Sequence, residues 1–229
     1  MTGYDGSEAQ LQAIRNLASL PIDFTCSMVI TPENVQSLCE FVQIAHDNGA
    51  KQFSFTFIID NDDAKEKDLA YLQKLDPIKL VSDFISQIDK LSAITDDWWV
   101  EYSFPMCMYT EEQLKLLKGR LATPCQIHLK NAVTFNTKME LLPCDMYIYQ
   151  RLGKFGRDFS SYQGFLSLTE SANYSKTMDE IRRLPSDECT TCEHFGVCYG
   201  GCPVLWKNYS FSALKEFKAK AHHSGVSGE

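Results

Sequence analysis

The chain has 229 residues, a formal net charge of −8 and 44% hydrophobic content. Its length allows one or two domains with an ample core, and its acidity argues against a nucleic-acid surface or an anionic membrane as partner. No apolar stretch approaches the roughly eighteen residues of a membrane span, and Met1 to Gln10 has neither a basic start nor an apolar run, so nine cysteines are expected to sit reduced, in a cytoplasmic protein.

Residues 7 to 20 carry Leu11, Ile14, Leu17 and Ala18 at helical spacing, with Pro21 beyond the end. From Asp23 to Ile30 the period falls to two. Phe24, Cys26, Met28 and Ile30 mark one face, and Val29 adds a second, as in a buried strand. Thr31 is placed to cap a helix with Pro32 at its first position; Val35, Leu38, Val42 and Ala45 form its inner face, and Asn48-Gly49 stops it. Phe53, Phe55, Phe57, Ile58 and Ile59 make the next strand. The polar run 60–68 reads as a solvated loop, with a metal site from its aspartates as the sharper alternative. Ile78, Val81, Ile85, Ile88 and Leu91 define a helix over 78–94, and Trp98 to Phe104 a third strand. Alternating helices and strands with short loops imply parallel pairing and right-handed crossovers in an α/β layer.

Further on, Cys125 and Cys144 bracket Ile127, Leu129, Ala132, Val133 and Phe135, whose alternation reads as a β-hairpin. An aromatic segment follows, with Tyr147, Tyr149, Phe155, Phe159, Tyr162 and Phe165 broken by glycines. These rings read as core packed over a cysteine-rich region, with a groove for a substrate peptide as the alternative. A short helix spans 177–184, with Arg182-Arg183 near its end and Pro185 closing it. After Cys202, Pro203 to Phe217 reads as a helix or turn that docks the cysteine loop.

The stretch Cys189-Thr-Thr-Cys192-Glu-His-Phe-Gly-Val-Cys198-Tyr-Gly-Gly-Cys202-Pro203 carries most of the chemistry. Four thiols this dense, with Gly196, Gly200 and Gly201 free to curl the backbone, suit a soft metal or an iron–sulfur cluster. A disulfide knot and four inert core cysteines are the bland alternatives, and a tetrahedral zinc site has similar Cys-x2-Cys pairs. Cys26, Cys39 and Cys107 read as small core residues, and His194, His128 and the pair His222-His223 are weaker candidate ligands.

The Cys-x2-Cys-x5-Cys-x3-Cys run ending in Gly-Gly-Cys-Pro, preceded by Cys125 and Cys144, resembles the SPASM domain of radical S-adenosylmethionine enzymes. The pieces Ile30-Thr-Pro-Glu-Asn34 and Asn48-Gly49-Ala50 are similar to the second half of that family's six-stranded partial barrel. The resemblance implies three regions. Residues 1–110 would be the C-terminal half of a partial barrel with parallel strands, 111–217 a small SPASM-like domain with a β-hairpin, and 218–229 a disordered tail. It implies one or two auxiliary [4Fe-4S] clusters held by Cys125, Cys144 and Cys202 and by Cys189, Cys192 and Cys198. Complete relatives modify a peptide or protein substrate. Where the family usually has a glycine five residues before the second cysteine this chain has Met139, so Asn136, Thr137 and Lys138 are expected to make the turn.

The family's catalytic cluster is bound by Cys-x3-Cys-x2-Cys, which leaves one iron open for S-adenosylmethionine; no such triplet occurs here. The chain is therefore expected to be a fragment or one half of a split enzyme, with a separate chain supplying the front of the barrel, and not to cleave S-adenosylmethionine alone. No cysteine follows Cys202 either, although the family often takes its last ligand from there. Six cysteines in the C-terminal region leave two clusters with three thiolates each. The alternative from another class is a zinc-binding structural or interaction module with a four-cysteine site.

Overall fold

The computed structural model describes residues 6–59, 75–102, 104–122, 125–208 and 210–216; the polar run 60–68, His222-His223 and the tail 218–229 lie outside these. The protein is mixed α/β and forms two compact units. Residues 6–58, 76–102 and 109–122 make the first, and residues 59, 75, 104–108, 125–208 and 210–216 belong to the second. The sequence reading placed a boundary at 110. The segment 104–108 packs with the second unit, and 109–122 with the first.

In the first unit, β1 (Thr25–Ile30), β2 (Gln52–Phe57) and β3 (Trp98–Tyr102) form a parallel sheet in that order. The register runs from Thr25 opposite Gln52 to Ile30 opposite Phe57. Beyond β3, Val100 bridges Leu121 in parallel: the Val100 N–H donates to the Arg120 carbonyl at 2.7 Å and the Ala122 N–H to that of Val100 at 2.8 Å. Phe53, Phe55 and Phe57 alternate onto a buried face, and Phe84 stands edge-on to Phe55 and Phe57 with centroids 5.7 and 5.4 Å away. Such aromatic pairs add to the burial of their area.

Helix α1 (Ser7–Ala18) matches its expected span, and Arg15 Nε donates to Asn48 Oδ1 at 2.7 Å, tying it to the end of α2 (Leu38–Asp47). Val35, Leu38, Val42 and Ala45 are all buried, as their spacing predicts. Thr31 does not cap that helix. Its N–H donates to Asn34 Oδ1 at 2.8 Å while Asn34 Nδ2 donates to the Val29 carbonyl at 2.7 Å, and a 3-10 turn (Val35–Ser37) precedes α2. A side chain that serves both ends of a turn outcompetes a simple cap.

Three further expectations are corrected. Val29 is 52% exposed, because β1 is an outer strand with one buried face. The helix over 78–94 is two: α3 (Pro77–Ile85), capped by Asp76, whose Oδ1 accepts from the Ile78 and Lys79 N–H groups at 3.0 Å, and α4 (Ile88–Ile94). The break falls where Ser86 Oγ donates to the Asp83 carbonyl and the Gln87 amide bonds to Gln36 Oε1 at 3.2 Å. The third strand ends at Tyr102, Phe104 is buried in the second unit, and α5 (Glu111–Leu116) follows in the first.

The second unit carries an antiparallel sheet of β4 (Thr134–Phe135), β5 (Glu140–Leu142) and β6 (Gly153–Lys154). The expected hairpin is present but shorter. Ile127 and Leu129 lie instead in α6 (Gln126–Leu129), one buried and one exposed. The turn is also built differently. Met139 itself adopts φ +59°, its N–H donating to the Asn136 carbonyl at 2.9 Å, while Asn136 Oδ1 accepts from the N–H groups of Lys138 and Glu140.

A left-handed conformation costs a non-glycine residue about 1–2 kcal/mol, and Met139 is 46% exposed, so its side chain adds little packing in return. Met139→Gly is therefore expected to stabilise the chain by about 0.5–1 kcal/mol after the entropy of glycine is subtracted. A denaturant midpoint below that of the parent would contradict this account of the turn.

Helices α7 (Tyr162–Thr169) and α8 (Ala172–Ile181) complete this unit with α9 (Phe195–Cys198) and α10 (Leu205–Asn208). The short helix read at 177–184 begins earlier, at Ala172, because Ser171 Oγ accepts from the Tyr174 N–H at 3.3 Å. Arg182, just past its end, donates through Nε to the Ile127 carbonyl at 3.0 Å.

Candidate metal centres

The second unit gathers its cysteines into two groups. Cys125 stands immediately before α6, Cys144 follows β5, and Cys202 lies three residues before α10. All three pack against one buried cluster of Ile127, Tyr147, Met178 and Val204. Burial raises the Cys144 thiol to about 12 and the Cys202 thiol to about 11. The neighbouring thiols add repulsion: Cys202 and Cys125 act on Cys144, and Cys125 acts on Cys202.

Backbone donors oppose that rise in a repeating pattern. Cys125 is met by the backbone of Ile127 and His128, Cys144 by that of Met146, and Cys202 by that of Val204 and Leu205, each bond favouring the thiolate. In every case the donor lies two or three residues downstream. The His128 and Leu205 N–H groups also donate to the Cys125 and Cys202 carbonyls at 2.9 and 3.1 Å, which fixes the backbone around these thiols; N–H groups beside a ligand sulfur are outer-shell partners that tune a metal centre.

Cys189, Cys192 and Cys198 form the second group, on the 3-10 turn Asp187–Thr191, the following residue and the end of α9. Burial raises the Cys189 thiol, the Ser186 backbone lowers it, and Cys198 and Cys192 add repulsion. Cys198 is buried and accepts a hydrogen bond from the Met106 N–H at 3.4 Å. A cavity of about 160 Å³ opens beside these residues, lined by Cys189, Cys192 and Cys198 and also by Cys107 and His194. An engineered cavity of about 150 Å³ holds benzene, so the space suits a compact group of several heavy atoms.

The loop between the two groups turns through three successive left-handed residues: Tyr199 at φ +49°, Gly200 at +81° and Gly201 at +79°. A Cβ on Gly201 would lie 2.7 Å from Pro105 Cγ, and one on Gly200 2.9 Å from Pro185 Cδ. Only glycine fits either place. Gly196 has open space and no such constraint. Trp206 Nε1 donates to the Gly200 carbonyl at 2.6 Å, and Lys215 pairs with Glu188, so the segment after Cys202 docks the cysteine loop as its composition predicts.

At a Zn–S distance of about 2.3 Å, sulfurs on one tetrahedral zinc stand about 3.8 Å apart. Among the described residues no three cysteine sulfurs lie within 4.8 Å of one another. All-thiolate donor groups fit a [4Fe-4S] cluster, whose ligands are cysteine thiolates, and structural zinc takes the same donors.

The remaining candidates fall elsewhere. Cys26 is half-buried on β1, and Cys39, also half-buried, donates through Sγ to the Gln87 carbonyl at 3.6 Å, so both sit at the edge of the core rather than in it. Cys107, read from the sequence as another core thiol, lines the cavity of the second group; its distance along the chain from Cys125 hid this. His128 lies on α6 rather than a strand; its ring stacks on Tyr199 at 5.7 Å, burial holds its pKa low, and its Nε2 is buried with no hydrogen-bond partner among the described residues. His194 begins α9 and accepts from the Cys198 N–H through its carbonyl at 2.8 Å. Of the aromatics, Tyr147 is buried and Phe159 packs against Phe135, Phe155 and Phe165, whereas Tyr149 and Tyr162 are exposed.

No described helix is long and apolar enough to cross a membrane. Compared with protein-family models, curated proteins and solved structures, the chain matches none.

Proposed function

We propose that this chain is the auxiliary-cluster part of a radical S-adenosylmethionine enzyme of the SPASM type, binding [4Fe-4S] clusters at Cys125, Cys144 and Cys202 and at Cys189, Cys192 and Cys198. One observation carries the reading: six cysteines fall into two separate groups, Cys125, Cys144 and Cys202 against one buried cluster and Cys189, Cys192 and Cys198 beside one cavity. The parallel sheet of the first unit, with helices between its strands, is compatible with part of a radical-enzyme barrel.

The clusters, when bound, supply electron transfer or a Lewis-acidic iron beside the substrate. The chain's own residues would orient the thiolates, exclude water through Ile127, Tyr147, Met178 and Val204, and shift the reduction potential through the Met106 N–H bond to Cys198 Sγ. The substrate class follows from the resemblance: a peptide or protein modified by crosslinking or side-chain oxidation. With no Cys-x3-Cys-x2-Cys in these 229 residues, cleavage of S-adenosylmethionine requires another polypeptide segment.

The test is anaerobic reconstitution with iron and sulfide. The parent is expected to take up about four to eight irons per chain with matching labile sulfide, and Cys198→Ala to lose up to four of them. Iron uptake unchanged in Cys198→Ala would refute the assignment of the second centre.

A further inference from the structure

We infer that Cys107 is the fourth thiolate ligand of the centre formed by Cys189, Cys192 and Cys198. This rests on the iron–sulfur reading above and extends it. A [4Fe-4S] cluster in an all-cysteine site needs one thiolate for each iron. Three come from the loop between Asp187 and Cys198, and the fourth is supplied by a separate stretch of chain, the 3-10 turn Met106–Met108.

Three observations put that turn beside the other three cysteines. Cys107 lines the 160 Å³ cavity together with the other three cysteines, so all four residues border one space. The residue before it, Met106, donates its backbone N–H to Cys198 Sγ at 3.4 Å, which pins the turn against a ligand sulfur. Gly201 packs on the same turn: its Cα leaves room for Pro105 only because it has no side chain. His194 also lines the cavity, but it follows Cys192 by two residues and belongs to the loop that already provides the other three ligands.

The two centres then differ in kind. The one at Cys107, Cys189, Cys192 and Cys198 is coordinatively complete and suited to moving electrons. The one at Cys125, Cys144 and Cys202 has three thiolates, so its fourth iron is the place where a substrate amide, amine or thiolate can bind.

The experiment reconstitutes the full chain carrying Cys144→Ala, which removes a ligand from the other centre, and compares it with Cys144→Ala/Cys107→Ser and Cys144→Ala/His194→Ala. Iron counts are paired with electron paramagnetic resonance of the reduced proteins before and after adding cyanide, a small ligand for an open iron. Cys144→Ala is expected to keep about four irons and a spectrum that cyanide does not change. Cys107→Ser in that background is expected either to lose most of the iron or to give a cyanide-sensitive spectrum, with His194→Ala silent. Circular dichroism of the cluster-free variants separates ligand loss from misfolding, since Cys107→Ser removes no buried apolar side chain.

The inference is overturned if Cys107→Ser leaves iron content and cyanide response unchanged, or if His194→Ala has the effect expected of Cys107→Ser. Lack of iron in the parent chain as well would overturn the underlying iron–sulfur reading and this ligand assignment together.

Discussion

Gly201→Ala is expected to destabilise the cluster-free chain by about 2–5 kcal/mol and to cut iron uptake at both centres. The backbone there has φ +79°, which costs an alanine about 1–2 kcal/mol. The new Cβ would also meet Pro105 Cγ at 2.7 Å, and relieving such an overlap costs about 1–3 kcal/mol. The position matters because Cys198 and Cys202 flank the three left-handed residues and belong to different groups. Moving Gly201 shifts both sulfurs, and pushing on Pro105 shifts the turn that carries Met106 and Cys107. Gly196→Ala, in the same loop but with open space around it, is the control and should be close to neutral. Denaturant melts and iron counts on the two variants check this, and equal behaviour of Gly201→Ala and Gly196→Ala would contradict it.

The cluster-free chain is also expected to lose stability steeply above pH 9. An ordinary thiol titrates near 9.0, whereas burial holds Cys144 at about 12 and Cys202 at about 11 in the folded state. Between those values the folded chain binds more protons than the unfolded one, so stability falls as pH rises. The contribution is whole below pH 9 and lost as pH climbs through 11 to 12. At 1.36 kcal/mol per pH unit, Cys144 alone accounts for up to about 3 kcal/mol by pH 11. Cys144→Ala should flatten the dependence measured under reducing, metal-free conditions, and the difference between parent and variant cancels the titration of lysines and tyrosines. A parent stability that stays flat from pH 9 to 11 would mean that these thiols are not buried together. At neutral pH the same energetics make metal loading a proton-releasing step.

The two kinds of periodicity in the sequence carried the parallel sheet and its helices. Phe53, Phe55 and Phe57 at period two, and Val35, Leu38, Val42 and Ala45 at period 3.6, are buried as their spacing dictates. Boundaries were less legible, because they depend on single side-chain bonds: Asn34 delays α2, and the Ser86-Gln87 pair splits one apolar stripe into α3 and α4. Ser161 and Ser171 were readable cap signals for α7 and α8 that the glycines and aromatics of the segment obscured. Val29 was misread because an apolar residue on an outer strand looks the same in sequence as one in a central strand.

Of the candidate centres, the four cysteines from Cys189 to Cys202 stood out by their spacing, and Cys125 and Cys144 joined them only through the resemblance. Their assembly into two groups depends on chain reversals at the hairpin and at Tyr199-Gly200-Gly201. Met139 was expected to be bypassed by its turn and instead takes the left-handed conformation itself. Cys107 had no partner within reach along the sequence, and only folding of 104–108 into the second unit brings it to the cavity. Long-range placement of this kind leaves no local signature.

The most direct test of the central claim is the identity of the metal in the protein purified without oxygen, read by Mössbauer spectroscopy with parallel iron, zinc and acid-labile sulfide counts. The iron–sulfur account predicts a brown protein with quadrupole doublets of [4Fe-4S] clusters and sulfide equal to iron. A colourless protein with one zinc per chain and no labile sulfide would contradict it and make this chain a zinc-stiffened module.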